Sequence, residues 1–339
     1  LEGQGVLVVG PNRLFLAYIE QVLPSLGEAG VEIAVLGDLL RPRVRVDRLD
    51  DEATAAVKGD VRMTKVLAKA VDDRERALRE DFHVGFGVQH LRLSVGDSRA
   101  IIREARRRSR GHNSGRKIVE ELVFEKLAAS ARKPVEASAV RERLRWEMPL
   151  RELFEWMWPV LTPAHLLHDL FGSKALLRSA NRAGKDGTFT DDEILRLYRP
   201  RTRHAEDVIW RFPDVPLLDE ARALLGYRPG KRDEDSVRTY GHICIDEAQD
   251  LSPMELRMVG RRSLNGSMTV VGDIAQATGA WANDGWDNVL ARLPEKRGVQ
   301  RRELSIGYRI PGPAMKLASR VLPFAAPGLR PPHPVREEG

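Results

Sequence analysis

The feature that most constrains this chain is a short apolar run that ends in two adjacent carboxylates, Asp246 and Glu247, within GHICIDEAQD at residues 241–250. The run itself, Ile-Cys-Ile at residues 243–245, is typical of a strand that is covered on both faces of a parallel sheet. Similar runs are VLVV at residues 6–9 and MTVV at residues 268–271. Because such runs alternate here with helical patterns, the sequence predicts an α/β fold with a parallel sheet.

The segment after the first run predicts a helix that connects two parallel strands. A Gly-Pro-Asn turn at residues 10–12 breaks the run, and Leu14, Tyr18 and Val22 then recur at helical spacing. These three residues are therefore expected to share one apolar face, with Phe15 and Ile19 beside it. Another strand-like run follows at residues 31–36, which completes a β-α-β pattern.

The pattern changes twice along the chain and predicts four segments. Residues 1–50 have the α/β pattern described above, whereas residues 51–204 are rich in Arg, Glu, Leu and Ala and predict a mainly helical segment. Within the helical segment, residues 83–95 alternate in the manner of a β-hairpin. The α/β pattern returns at residues 205–298, where a short helix is expected to end at Gly226, and residues 299–339 begin a further strand-to-helix passage.

Composition restricts the class of protein without identifying it. The chain contains one cysteine, Cys244, which excludes an internal disulfide and is consistent with a reducing cytoplasm. It has no apolar run long enough to span a bilayer. We therefore expect no membrane partner and no signal peptide. The net charge of +6 permits a polyanionic partner but does not require one.

The two carboxylates have a functional and a structural explanation. Parallel α/β sheets bind ligands at the carboxyl ends of their strands. An Asp at such an end can hold Mg²⁺ near phosphate groups, and an adjacent Glu can accept a proton from an attacking water. The structural alternative is that Asp246 and Glu247 favour the N-terminus of the next helix.

Further polar residues follow the later apolar runs and strengthen the functional explanation. Asp273 and Gln276 lie in GDIAQ directly after the run at residues 268–271, and Gln249 lies in DEAQ. Amides such as Gln249 and Gln276 can contact a γ phosphate without adding charge. Tyr308 and Arg309 lie in GYR, and an arginine from a second domain can stabilise a transferring phosphoryl group. The alternatives are an ordinary turn at Asp273 and a surface arginine at 309.

IDEAQD, VVGDIAQ and GYR resemble motifs II, III and IV of superfamily 1 helicases of the UvrD and Rep type. The longer segments GVLVVGPNRLFLAYIEQVLPSLGE, DEAQDLSPMELRMVGRR and GYRIPGPAM resemble the HelD family, helicase-like ATPases that bind bacterial RNA polymerase. The resemblance implies that residues 1–50 and 205–298 form an incomplete RecA-like domain, called 1A. Residues 51–204 would be a helical insertion in it, and residues 299–339 would begin RecA-like domain 2A.

The resemblance also implies a function and roles for individual residues. ATP and Mg²⁺ are the implied cofactors, with Asp246 as the metal ligand, Glu247 as the general base and Gln276 at the γ phosphate. Arg309 would be an arginine finger, and Tyr308 would stack on the nucleotide base. The implied activity is ATP-dependent remodelling of core RNA polymerase with release of bound nucleic acid.

One expected motif is absent from the sequence. The phosphate-binding pattern G-x-x-x-x-G-K-[ST] does not occur, and NSGRK at residues 113–117 lacks its spacing and its preceding strand. In the resembling family this loop precedes the segment that begins here at Leu1. We therefore expect an internal fragment that does not hydrolyse ATP by itself, whereas the full-length protein does.

Two features leave the nature of the partner open. Trp281 and Trp286 follow GDIAQ, where UvrD-type enzymes have aromatic residues that stack on single-stranded DNA. A translocase on single-stranded DNA is therefore the alternative function, and core packing is the alternative explanation of the two tryptophans. A third hypothesis is a binding module that works without ATP.

The second feature is a basic stripe in the helical segment. It consists of arginines at helical spacing, namely Arg103, Arg106, Arg107 and Arg110. The stripe is expected to face a nucleic acid or an acidic protein surface. The alternative is a solvated face that nearby acids such as Glu104, Glu120 and Glu121 neutralise.

Overall fold

The structure is a computed structural model that describes residues 5–22, 30–40, 43–183, 188–277, 281, 285–294, 298–308, 310–325 and 330–336. The strands are β1 (Val6–Val9), β2 (Val31–Ala34), β3 (Val46–Arg48), β4 (Phe82–Phe86), β5 (Gln89–Leu93), β6 (Trp210–Arg211), β7 (His242–Ile245), β8 (Met268–Val270), β9 (Ile306–Gly307) and β10 (His333–Pro334).

The helices follow the same chain order. They are α1 (Arg13–Val22), α2 (Glu52–Gly59), α3 (Met63–Asp72), α4 (Val95–Arg108), α5 (His112–Ala129), α6 (Ala137–Leu144), α7 (Met148–Met157), α8 (Pro163–Phe171), α9 (Lys174–Asn181), α10 (Asp191–Leu195), α11 (Val215–Leu225), α12 (Arg232–Asp235), α13 (Pro253–Gly260), α14 (Trp286–Leu290) and α15 (Gly312–Ala325). Within the described ranges, no helix combines the length and the apolar character that crossing a membrane requires.

A parallel four-stranded sheet confirms the predicted α/β class. Its strand order is β2-β1-β7-β8, and every neighbouring pair in it is parallel. Val9 at the end of β1 lies opposite both Ala34 and Ile245, and Ile245 lies opposite Val270. Because the strands end in register, the residues that follow β1, β7 and β8 emerge at the same edge of the sheet.

The chain forms two compact units. Residues 1–39 and 238–339 form the sheet unit, and residues 40–237 form the helical unit. This division differs from the predicted boundaries at residues 50 and 204. The reason is long-range pairing, since β3 pairs with β6 through Val46 and Trp210, and α11 packs against α3 and α8. The segments around β3 and α11 therefore belong to the helical unit.

Helix α1 buries Leu16, which was not among the residues of the predicted face. Leu16 is buried and lies so close to Gly10 that a Cβ atom added at Gly10 would be 2.5 Å from its Cδ2. Leu14 and Tyr18 are instead 85% and 66% exposed, and the side chain of Val22 lies outside the described part of the chain. The apolar spacing identified the helix correctly, but the turn at Gly10 determines which side chain is buried.

The helical unit has its own core and confirms two local predictions. The hairpin expected at residues 83–95 is present as the antiparallel pair β4 and β5, and α11 ends at Gly226 with a positive φ of 68°. Trp158, one of two fully buried tryptophans among the described residues of the unit, donates from Nε1 to the carbonyl of His112 over 2.6 Å. Gly115 makes room for it, because a Cβ there would lie 2.4 Å from the Trp158 ring.

Candidate functional site at the ends of β7 and β8

Asp246 and Glu247 lie where β7 leaves the sheet. The backbone N–H of Asp246 donates to the carbonyl of Val9 over 3.1 Å, which extends the β1–β7 pairing by one residue. The Asp246 carboxylate then accepts from the backbone N–H of Glu247 at 2.9 Å. Both side chains are half-buried, so they are fixed by the sheet and still reach its edge.

Glu247 has the left-handed backbone conformation, with φ 49° and ψ 42°. Among the described residues it is the only non-glycine residue with a positive φ. This conformation costs a residue with a Cβ atom about 1–2 kcal/mol. Such strain concentrates at functional sites, where the surrounding structure holds a side chain in a required direction.

The helix-capping explanation of the two carboxylates does not fit the structure. The following α13 is capped by Ser252, whose hydroxyl accepts from the backbone N–H of Glu255. The Glu255 carboxylate in turn accepts from the backbone N–H of Ser252. Glu247 precedes a short 3-10 turn at residues 248–250 but makes no side-chain capping bond to it. The carboxylates of Asp246 and Glu247 are therefore not used to begin a helix.

Gln249 connects the β7 end to the β8 end. Its side chain is almost completely buried, donates from Nε2 to Glu247 Oε2 over 2.6 Å, and accepts at Oε1 from the N–H of Asp273 over 3.0 Å. Gly272 makes this contact sterically possible, because a Cβ there would lie 2.4 Å from Gln249 Oε1. The predicted nucleotide contact of Gln249 stays a prediction, and in the structure the residue positions Glu247. The Gly before Asp273 was the sequence signal for this close approach.

Asp273 and Gln276 lie on the next loop and are exposed. Asp273 accepts from the N–H of Ala275 through Oδ1 and from the Gln276 amide through Oδ2, at 3.0 and 2.9 Å. The first of these bonds caps the 3-10 turn at residues 274–276. The ordinary-turn explanation therefore accounts for one oxygen of Asp273, and the bond to Gln276 places both predicted residues together.

Within the described part of the chain, the structure does not bring the remaining predicted residues to this edge of the sheet. Arg309 lies outside the described part of the chain. Tyr308 is 67% exposed and follows β9, which pairs with β10 and not with the four-stranded sheet. Trp281 and Trp286 are both half-buried, so the choice between core packing and stacking on a base stays open.

The side chains at this edge of the sheet offer oxygen atoms as possible ligands for a cation. Within the described residues, no group of three or more His, Cys, Asp or Glu side chains could hold a metal ion by itself. A cation at Asp246 would therefore need further oxygens from water or from a ligand. Burial raises the pKa of the Cys244 thiol on β7.

Comparison with protein-family models and with curated proteins found no match for this chain.

Proposed function

We propose that this chain carries the catalytic carboxylates of a helicase-like ATPase that binds bacterial RNA polymerase and recycles it by releasing bound nucleic acid. The observation that supports the ATPase part of this proposal is the hydrogen-bonded chain from Glu247 through Gln249 to Asp273. It joins the ends of two neighbouring parallel strands, at the edge where α/β sheets bind ligands. A strained Glu held in this way is suited to a role as general base.

The residues of this edge fit a nucleotide with Mg²⁺. Mg²⁺ takes one or two protein carboxylates together with substrate phosphates and waters, so Asp246 can supply the protein ligand without a three-residue cluster. Bound Mg²⁺ would neutralise charge on the transferring phosphoryl group. Glu247 would orient the attacking water and accept its proton, and the exposed amide of Gln276 would contact the γ phosphate.

The proposal assigns the sheet unit to RecA-like domain 1A with the beginning of domain 2A, and the helical unit to an insertion in 1A. Within the described residues, β8 has one strand neighbour and forms an edge of the sheet. A further strand beside β8 would place a phosphate-binding loop next to Asp246 and Asp273. Such a strand and loop would come from the full-length protein.

The polymerase partner and the cytoplasmic location depend on the sequence resemblance and on the single cysteine. Nucleotide state in the motor would move the helical unit against the polymerase. A translocase on single-stranded DNA is the second candidate. The observation that favours it is Trp286, which begins α14 and is half-buried, leaving part of its ring accessible for stacking on a base.

The test is the ATPase rate of the full-length protein alone, with core RNA polymerase and with single-stranded DNA. Glu247→Gln should lower kcat by about 10²–10⁴, because a general base contributes that much. Nucleotide binding should change little, and the exposed Glu303→Gln serves as the control. Parent-rate hydrolysis by Glu247→Gln would show that the site is wrong. Stimulation by DNA without any effect of polymerase would favour the translocase.

A further inference from the structure

We infer that the exposed face of α4 binds the phosphate backbone of nucleic acid without reading its sequence. Residues 99–110 contain six arginines and one glutamate, which leaves a local charge of +5 in a chain whose total is +6. With Asp97 included, α4 and the turn after it carry a net charge of +4, from six arginines against Asp97 and Glu104. This inference concerns the helical unit alone and does not depend on the nucleotide site.

Acidic side chains pair with only some of the arginines in residues 99–110. Arg106 donates from Nε to Glu75 at 2.5 Å, and Arg107 forms two hydrogen bonds with Glu104, at 3.0 and 2.6 Å. Glu120 and Glu121 do not neutralise these arginines, because they pair with Arg116 and Lys117 instead. In the part of the chain that the structure describes, no carboxylate lies within 4.0 Å of the guanidinium groups of the other arginines, which are Arg99, Arg103, Arg108 and Arg110.

Two of the unpaired arginines, Arg99 and Arg103, share a face of α4 that points away from the core. The buried residues of α4 are Ser98, Ile101, Ile102 and Ala105, whereas Arg99 and Arg103 lie one turn apart on the other side and are exposed. From Arg99 to Arg103 the helix rises about 6 Å. Guanidinium groups spaced along one line in this way can bind successive phosphates, which they contact through paired N–H donors.

A helix-dipole effect does not account for the whole stretch. Cations in the last turn of a helix interact favourably with its C-terminus, which explains Arg106, Arg107 and Arg108. The effect falls off within one turn. Arg99 and Arg103 lie further towards the start of α4, and Arg110 lies beyond its end, so these three need a different explanation.

The chemistry of the face favours nucleic acid over an acidic protein. The core of a protein interface is built around apolar and aromatic anchors. Neither α4 nor α5, both completely described, exposes a large apolar side chain. Phosphate contacts need no such anchor, and without exposed aromatic rings the face has nothing on which a base could stack. The partner that fits this face is therefore the phosphate backbone of a nucleic acid.

The test is fluorescence anisotropy of the complete chain with a short labelled DNA duplex and a labelled single strand, both of mixed sequence. Titrations run between about 50 and about 200 mM salt. The triple variant Arg99→Gln, Arg103→Gln and Arg110→Gln should bind both probes at least about tenfold more weakly. The slope of log affinity against log salt should fall by about 3, roughly one per lost phosphate contact. The matching triple change to Lys should keep most of the slope.

The control neutralises three exposed arginines elsewhere in the helical unit that have no carboxylate partner in the described chain: Arg132→Gln, Arg141→Gln and Arg151→Gln. It should bind as the parent does, and circular dichroism should show equal helix content in all variants. No nucleic-acid binding by the parent would overturn the inference, as would equal losses in both triple variants or no loss in the first. Preferential binding of poly-glutamate with the same arginine dependence would assign the face to an acidic protein.

Discussion

The two compact units use carboxylates in opposite ways. In the helical unit, Lys58 is buried and lies 2.7 Å from carboxylate oxygens of both Asp50 and Asp214, which are themselves fully buried. In the sheet unit, Asp246 and Glu247 reach the sheet edge, and among the described residues no cation pairs with them. Buried charges that are paired inside the protein have a structural role. Carboxylates that are oriented by backbone N–H and amide groups but not neutralised are available to a ligand.

The largest effect should come from breaking the buried cluster. Lys58→Met removes the common cation of Asp50 and Asp214 and leaves each of them with one arginine partner. Removing one partner of a buried ion pair costs about 3–5 kcal/mol, and we expect the lower end of this range because each carboxylate keeps one cation. Urea unfolding followed by tryptophan fluorescence measures this loss, because most tryptophans of the chain lie in the helical unit. The exposed Lys65→Met is the matched control and should change the unfolding free energy by less than about 0.5 kcal/mol. If Lys58→Met lowers the unfolding free energy by less than about 1 kcal/mol, the buried cluster does not have the structural role given to it here.

Acid should weaken the helical unit through the same cluster. Burial alone would raise the pKa of Asp214, but Lys58 and Arg199 outweigh it and hold the pKa below its ordinary value of 3.8. A carboxylate with a lowered pKa stabilises the fold fully above its unfolded value, and this contribution is lost as the pH falls below about 3.8.

The measurement is the unfolding free energy of the parent and of Asp214→Asn at pH 6 and at pH 3. The variant is less stable at pH 6, because its amide does not compensate the charge of Lys58. The parent should lose more stability than the variant between the two pH values, since only the parent has the titrating group. Equal losses would mean that Asp214 does not contribute to acid sensitivity.

Local sequence patterns predicted the features that depend on neighbours along the chain. The run before Asp246 predicted β7 and its place in a parallel sheet, and alternation predicted the β4–β5 hairpin. Apolar spacing predicted α1, but it could not decide between Leu16 and Leu14 as the buried residue. That choice depends on contacts at the turn around Gly10, which no periodicity encodes.

Features that depend on distant residues were not predictable in this way. The unit boundary follows from the pairing of Val46 with Trp210, which are far apart in the sequence. At the site, the residue types Asp246, Glu247 and Asp273 were predicted, but the bridging position of Gln249 was not. The sequence predicted Gln249 only as a phosphate contact. Its buried position depends on Gly272, which the fold places beside it and which lets the amide form hydrogen bonds while buried.

The smallest effect on stability is expected at the carboxylate edge. Gln249→Ala removes the donor to Glu247 and the acceptor of the Asp273 N–H, which should cost about 1–2 kcal/mol. Hydrogen exchange gives a readout that does not depend on any activity. The Asp273 amide should lose its protection in Gln249→Ala, while amides in β7 keep theirs, because the sheet pairing is untouched.

Gln276→Ala is the matched control for this prediction. Its amide also bonds Asp273, but through the exposed carboxylate and not through the backbone, so exchange at the Asp273 N–H should stay at the parent rate. In the full-length protein, Gln249→Ala should lower kcat more than it raises KM, because a misdirected Glu247 affects the chemical step and not nucleotide binding. Unchanged exchange at Asp273 together with an unchanged kcat would mean that the bridge does not position Glu247. The contrast between the two units would then rest on the buried cluster alone.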